Sequence, residues 1–132
     1  MKKSTINPET LFDSIKYGFS QVVVSDPGKM VFISGQVAWN REEQIIGAND
    51  LELQTIKSVE NLETSIGAAG GTLGDIVMLR IYKVNYQEGD GVVIGRVLKD
   101  KFGAHLPAST WIGVQKLAGP DFLIEIEAQA VI

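Results

Sequence analysis

Apolar side chains recur along this chain with two periods, and these periods separate helices from strands. Over residues 51–69 they recur every three or four positions, which predicts an amphipathic helix capped by Asp50 and ended by Gly70. The same spacing over residues 90–102 predicts a second helix, which stops at Gly103. Each helix has one apolar stripe, so each is expected to cover a sheet.

The remaining apolar runs are β-branched or alternate with polar residues, which indicates strands. We expect five strands, at residues 19–24, 30–37, 75–84, 109–116 and 122–131. The first two are separated by a loop of hairpin length and are expected to pair antiparallel. The last two are joined by a turn, and residues 1–18 are interpreted as a polar lead-in.

This order of elements, β-β-α-β-α-β-β, predicts an α+β sandwich with both helices on one face of the sheet. A length of 132 residues fits one domain, residues 1–132. The opposite face of the sheet then has no cover. Because a large open apolar face on a small domain favours self-association, we expect a homo-oligomer whose interface lies against the sheet.

Charged residues interrupt two of the predicted strands. Since strand side chains alternate, Glu125 and Glu127 share the face opposite the apolar residues of the last strand. Arg80 is costly to bury unpaired, so it either reaches solvent or meets one of these carboxylates. Gly35, in the second predicted strand, indicates either a bulge or a close approach of another group to the backbone.

Composition excludes several classes of function. The net charge of −4 argues against a nucleic-acid partner. The absence of cysteine excludes a thiol nucleophile, and with one histidine it excludes the usual zinc sites, so no metal site is predicted. The first twenty residues lack an apolar signal-peptide core, and no long apolar run follows. We therefore expect a soluble cytoplasmic protein without a membrane partner.

An ordered set of short segments resembles the reactive intermediate deaminase family, RidA/YjgF. The matching segments are Asn7-Pro8, Phe19-Ser20-Gln21, residues 31–37, 54–70 and 75–77, Pro107-Ala108-Ser109, and residues 124–128. The similarity runs nearly from end to end. It implies the chorismate-mutase-like fold, a homotrimer with three clefts between subunits, and hydrolysis of enamines and imines to 2-keto acids and ammonia without a metal or cofactor.

The resemblance also implies a site, and this chain departs from it. In the family, an arginine directly after Pro-Ala holds the substrate carboxylate through paired hydrogen bonds. Ser109 stands at that position here. The aromatic residue before Ser-Gln is Phe19 rather than tyrosine, and Gly95 is matched to the asparagine that opens the family's second helix. These changes indicate a divergent member whose substrate is not a standard amino-acid imine.

The family glutamate that positions or activates water corresponds to Glu125, which is therefore the candidate catalytic residue. A structural carboxylate paired with Arg80 or with a neighbouring subunit is the alternative. Ser109 and Thr110 can donate hydrogen bonds to a neutral ligand without replacing a cation, unless they form a plain strand start. The candidate substrate-binding residues are Phe19, Ser34, Gly35, Arg80, Ser109, Thr110 and Trp111.

Arg80 carries a further hypothesis, since its side chain would supply the missing positive charge if it entered the cleft. Two functions from different classes remain open. One is a RidA-like hydrolase of imines or enamines, and the other is a non-catalytic small-ligand-binding or chaperone-like trimer. The ribonuclease activity associated with some members suits this acidic chain poorly.

Overall fold

The computed structural model describes residues 2–132 and places two helices on one face of a mixed sheet. The strands are β1 (Lys3–Ile6), β2 (Val22–Ser25), β3 (Met30–Gln36), β4 (Ile76–Val84), β5 (Ala108–Val114) and β6 (Ile124–Val131). The helices are α1 (Leu51–Ala68) and α2 (Asp90–Phe102), with short 3₁₀ turns at Ile15–Tyr17 and Leu73–Asp75. The predicted α+β architecture is confirmed.

The predicted pairing of the first two strands is wrong. β2 pairs antiparallel with β1, and β3 pairs with β6. Residues 1–18 therefore contain a strand and a 3₁₀ turn rather than a polar lead-in alone. The Lys3 ammonium anchors β1, since it donates to the carbonyl oxygens of Ile76 at 2.7 Å and His105 at 3.2 Å. The loop between β2 and β3 is short enough for a hairpin, but the backbone of β2 forms its strand hydrogen bonds with the polar strand β1 instead.

The main sheet has the strand order β3-β6-β4-β5. β6 is antiparallel to both of its neighbours, and β5 is parallel to β4. β5 is thus an edge strand, separated from β6 by β4 although β6 is the next strand along the chain, after residues 115–123. Ser109 lies opposite Leu79, whereas Glu125 lies opposite Tyr82.

The two faces of the sheet have different surroundings. The face under the helices is apolar, and its buried residues include Leu62, Ile66, Leu79, Ile81, Ile94, Leu98, Ile124 and Ile126. Each such side chain stabilises the fold by about 1.5–3 kcal/mol. The other face, called the open face here, carries Glu125 and Glu127 as half-buried residues, as the alternation predicted. It also exposes Met30 and Phe32.

The residues that bound the two helices are those that the sequence predicted. The Asp50 carboxylate accepts a hydrogen bond from the backbone N–H of Leu53 at 3.0 Å. Gly70 follows α1 with a φ of 93°, and Gly103 follows α2 with a φ of 59°. Such left-handed conformations favour glycine. Neither helix within residues 2–132 has the length and apolar character needed to cross a membrane.

Candidate functional site

A cavity of about 500 Å³ opens beside the edge strand β5. Its aromatic side chains are Phe12, Tyr17, Phe19, Tyr86 and Trp111, and Ser109, Val92 and two glycines at the start of α2 complete it. We call it the aromatic cavity. None of its lining side chains among residues 2–132 is charged at neutral pH. Its chemistry is that of an apolar surface with a few hydroxyl groups.

The aromatic rings form a continuous series of tilted and edge-to-face contacts. The ring centroids of Phe12 lie 6.2 Å from Tyr17 and 6.1 Å from Phe19, and Phe19 lies 6.1 Å from Trp111. This geometry is favourable for aromatic pairs beyond the area that they bury. The Ser20 hydroxyl donates to the Leu106 carbonyl at 2.6 Å and so holds the Phe19 segment against the start of β5.

Two glycines bring the N-terminal segment close to α2. Gly18 adopts a φ of 101°, and a Cβ at this position would lie 2.9 Å from the Cα of Gly95. A Cβ on Gly95 would in turn lie 3.1 Å from the carbonyl carbon of Tyr17. The match of Gly95 to a helix-opening asparagine is therefore wrong, because α2 begins at Asp90 and Gly95 lies within it. Its role is to let Tyr17 approach the helix.

Ser109 and Trp111 are joined inside the cavity. The indole Nε1 of Trp111 donates to the Ser109 hydroxyl oxygen at 2.7 Å. The hydroxyl proton of Ser109 is then free to donate to a ligand. Thr110, the next candidate, lies opposite Arg80 and is exposed on the open face. A small neutral donor therefore lies where the family places a guanidinium.

A second group of polar side chains lies on the open face. In the register of the sheet, Arg80 is opposite Glu127 and Tyr82 is opposite Glu125. The Tyr82 hydroxyl donates to the Glu127 carboxylate. That hydrogen bond, followed by burial, raises the pKa of Tyr82, and the positive charge of Arg80 opposes the shift. Within residues 2–132 Arg80 is half-buried and makes no ion pair, so it reaches solvent instead of meeting a carboxylate directly.

Glu125 differs from Glu127 in having no hydrogen-bond partner within residues 2–132. Its carboxyl group lies over the backbone of Gly35, where a Cβ would be 2.7 Å from the Glu125 Cδ. The register of β3 against β6 also shifts between Ile33 and Gln36. Both interpretations of Gly35 are thus correct, since it lies at a bulge and accommodates a close neighbour. Ser34, beside it, is exposed.

The sequence-predicted residues divide between the two faces. Phe19, Ser109 and Trp111 line the aromatic cavity, whereas Arg80 and Glu125 project from the open face. Arg80 therefore supplies no charge to the aromatic cavity of its own chain. Within one chain, a ligand in the aromatic cavity does not reach Glu125 directly, because β4 lies between the two.

Sequence reasoning missed three aromatic residues of the aromatic cavity, namely Phe12, Tyr17 and Tyr86. A signal was present, because Phe12 and Tyr17 are two aromatic residues in a segment interpreted as a polar lead-in, shortly before Phe19. Tyr17 also restores a phenol to a cavity in which Phe19 carries none. No group of three or more His, Cys, Asp or Glu side chains within residues 2–132 is arranged to hold a metal ion.

The family model described as Endoribonuclease L-PSP matches residues 13–132. Among solved structures, the Rid-family protein YyfB of Yersinia pestis, described as of unknown function, is 41% identical with a TM-score of 0.94 over 100% of both chains. Escherichia coli TdcF with bound serine is 32% identical with a TM-score of 0.70, over 82% of this chain and 84% of that one.

Curated sequences give similar results. A RutC family protein of Pyrococcus abyssi is 31% identical over 78% of this chain and 79% of its own length. TdcF of Escherichia coli, provisionally named a reactive intermediate deaminase, is 34% identical over 80% of this chain and 81% of its own length. With the fold and the family model in agreement, this chain belongs to the RidA/YjgF family, whose model bears the description Endoribonuclease L-PSP.

Proposed function

We propose that the protein hydrolyses reactive imines or enamines other than the standard amino-acid-derived 2-imino acids. An enamine first takes a proton at carbon and becomes the imine. Water then adds to the carbon of the C=N bond, and its proton passes to nitrogen. The resulting carbinolamine expels ammonia as the carbonyl bond forms. No metal or cofactor is required by this sequence of steps.

The aromatic cavity is the observation that carries the proposed substrate class. A carboxylate beside the imine carbon would need a cation, and the cavity offers the Ser109 hydroxyl in place of a guanidinium. Placing an ionised carboxylate in an apolar site without a partner is strongly unfavourable. The part of the substrate that enters this cavity is therefore uncharged and apolar or aromatic.

Glu125 is the proposed water-positioning residue. Its carboxylate is half-buried and keeps its acceptor oxygens free within residues 2–132, while Gly35 provides the space for it. A positioned base of this kind typically contributes about 10²–10⁴ in rate. Glu127 is less suited to the role because Tyr82 already donates to it.

The proposed assembly is a homotrimer, in which Glu125 of one subunit faces the aromatic cavity of the next. Two observations support it. The open face leaves Phe32 69% and Met30 56% exposed, which is unusual for large apolar residues on a sheet. Moreover, the cavity and the carboxylate lie on different faces of one chain, so a second copy is needed to complete the site.

One observation favours a second candidate, a small-ligand-binding trimer without catalysis. No acid or base lines the aromatic cavity within residues 2–132, and the Ser109 hydroxyl oxygen already accepts a hydrogen bond from the Trp111 indole. We do not propose RNA cleavage, although the family description names it, because the net charge of −4 disfavours a phosphate backbone.

The test is an ammonia-release assay on imines generated in situ by oxidases from benzylamine, phenylalanine and alanine. We expect acceleration over background hydrolysis, strongest with the benzylamine-derived imine. Glu125→Gln should reduce that acceleration about 10²–10³-fold, because amide nitrogen and oxygen cannot take a proton from water. Glu127→Gln is the matched control and should retain activity within about tenfold.

Two results would count against the proposal. Wild-type protein that accelerates none of the three imines favours the ligand-binding candidate. Equal losses in the two glutamate variants would remove the distinction between Glu125 and Glu127. Size-exclusion chromatography of each variant is included, so that a change of assembly is separated from a loss of chemistry.

A further inference from the structure

A second cavity, of about 330 Å³, adjoins the aromatic cavity. The two share Tyr17, Gly91 and Val92 as common walls. The far side of this second cavity differs in character, since it is formed by the cationic residues Lys16, Arg96 and Lys99. We call it the basic groove. An apolar compartment and a positively charged one are therefore adjacent along the start of α2.

The cations of the basic groove are available to a ligand. The ammonium of Lys16 lies 5.1 Å from the ring centroid of Tyr17, so it stands at the wall between the two compartments. The Lys99 ammonium donates to the Lys16 carbonyl at 3.0 Å and keeps further donors free. Arg96 meets Glu52 only at 3.9 Å, and because both side chains are exposed this pair is weak.

The local charge is opposite to that of the chain as a whole. The protein carries a net charge of −4, yet no acidic residue lines the basic groove within residues 2–132. The carboxylates of Glu52 and Asp100 line a different groove, on the other side of Arg96. Three cations on a supported surface make a local positive potential that attracts an anion.

The support beneath these cations is rigid. Lys16 lies in the 3₁₀ turn Ile15–Tyr17, which packs against α2 through Gly18 and Gly95. Arg96 and Lys99 both lie on α2 itself. The attachment points of the three charged side chains are thus set by packed backbone.

From this arrangement we infer that the two compartments bind one ligand, with an aromatic body in the aromatic cavity and an anionic group in the basic groove. This inference rests on the proposed function and names its substrate class, an aromatic imine with a carboxylate or phosphate remote from the reacting carbon. The positive charge absent at Ser109 is supplied further out, by Lys16 and Lys99, so the ligand is longer than an amino-acid imine.

The test uses calorimetric titration of the full-length protein with four probes, 5-phenylpentanoate, 5-phenylpentanamide, 4-phenylbutyl phosphate and propanoate. We expect at least one aromatic anion to bind about tenfold more tightly than the neutral amide, because charge-assisted hydrogen bonds add to the same apolar burial. Propanoate, which lacks the ring, should bind more weakly than either aromatic anion. The tighter of the two aromatic anions identifies the preferred anionic group.

A charge-matched pair of variants locates the effect. Lys16→Gln/Lys99→Gln should abolish the preference for the anion over the amide. Lys2→Gln/Lys29→Gln removes the same charge from exposed lysines that line neither compartment, and it should keep the preference. Equal affinities for anion and amide in the wild type, equal losses in both double variants, or no binding of any probe would each overturn the inference.

The outcome is separable from that of the proposed function. Binding of the aromatic anions through Lys16 and Lys99, in a protein that hydrolyses no imine, would support the ligand class and reject the hydrolase. Hydrolysis of a neutral aromatic imine by a protein that shows no preference for the anionic probes would do the reverse.

Discussion

The aromatic cavity and the open face hold complementary halves of the candidate site. The aromatic cavity has walls and a hydroxyl donor but no acid or base within residues 2–132. The open face has two carboxylates, an arginine and a phenol, none of which lines that cavity. β4 separates the two, because its side chains alternate between the faces. In the proposed assembly, substrate recognition and proton transfer therefore lie on opposite faces of each chain and meet where two copies come together.

The same contrast recurs between the two carboxylates of β6. Glu127 is held by the Tyr82 hydroxyl, whereas Glu125 lies over Gly35 without a partner within residues 2–132. One is part of the fold's polar network, and the other is free for a ligand or water. Changes in the aromatic cavity should thus alter stability and selectivity, and changes around Glu125 should alter rate.

The largest effect on stability is expected from Trp111→Ala in the aromatic cavity. Trp111 packs against the hydrophobic core and is bonded to Ser109. Truncation should lower the free energy of unfolding by about 3 kcal/mol, near the lower end for large aromatic residues because the ring is half-buried. Urea denaturation measures it, and Trp111→Phe is the control, with a loss of about 1 kcal/mol. A loss below that of the control would show that the cavity wall is independent of the core.

Gly35→Ala should produce the next largest effect, which is on rate. The added methyl would overlap the Glu125 carboxyl group, which must move. We expect imine hydrolysis to fall about 100-fold, as it would on loss of a positioned base. The same change introduced into the Glu125→Gln protein should cost little more, since the two changes act on one group. Independent, multiplying losses would contradict the role given to Gly35.

Ser109→Arg should shift ligand preference by about tenfold in favour of propanoate, through a bidentate pair with the new guanidinium. Its matched control is Thr110→Arg, one residue along β5 but on the open face. If both variants gained equally, the effect would come from overall charge. If neither gained, the aromatic cavity would not be the place where the family binds its substrate carboxylate.

The sequence predicted those elements whose signal is local. The alternation along β6 and the capped stripe of α1 depend on neighbouring residues, and both are confirmed. At the start of α1, however, the buried positions differ from the predicted apolar stripe, since Leu53 is 48% exposed and Gln54 is fully buried. Gln54 donates to the carbonyls of Gly47 and Asp121 and accepts from the Leu123 N–H at 2.9 Å. The buried Gln54 side chain thus satisfies backbone groups of loops distant in the chain. The periodicity of the helix sequence does not indicate these contacts.

The candidate site shows the same limit. Ser109 and Glu125 were identified by their place in the chain, but their separation by β4 follows from strand order, which the expected turn between the last two strands did not indicate. Phe12 and Tyr17 join the aromatic cavity because Gly18 and Gly95 allow a close contact. That contact joins segments far apart in the sequence, so only the folded chain reveals it.

The smallest effect is expected from Tyr82→Phe on the open face. Removing the hydroxyl leaves Glu127 without its donor, and the free energy of unfolding should fall by about 0.5–1 kcal/mol at neutral pH, since the site is partly solvated. The control is Tyr17→Phe, whose hydroxyl has no hydrogen-bond partner within residues 2–132 and whose loss should matter less.

The pH dependence of the stability difference between wild type and Tyr82→Phe tests whether the hydrogen bond from Tyr82 to Glu127 causes it. The hydrogen bond to Glu127, together with burial, raises the pKa of Tyr82 in the folded protein, so the neutral phenol is favoured by folding. Its contribution is fully present below the ordinary tyrosine pKa of about 10 and is lost as the pH rises through the higher folded-state value. The free energies of unfolding of wild type and Tyr82→Phe should therefore converge across that pH range. A difference that persists in alkali would mean that Glu127 is not held by a neutral phenol, and the asymmetry between the two carboxylates would lose its physical basis.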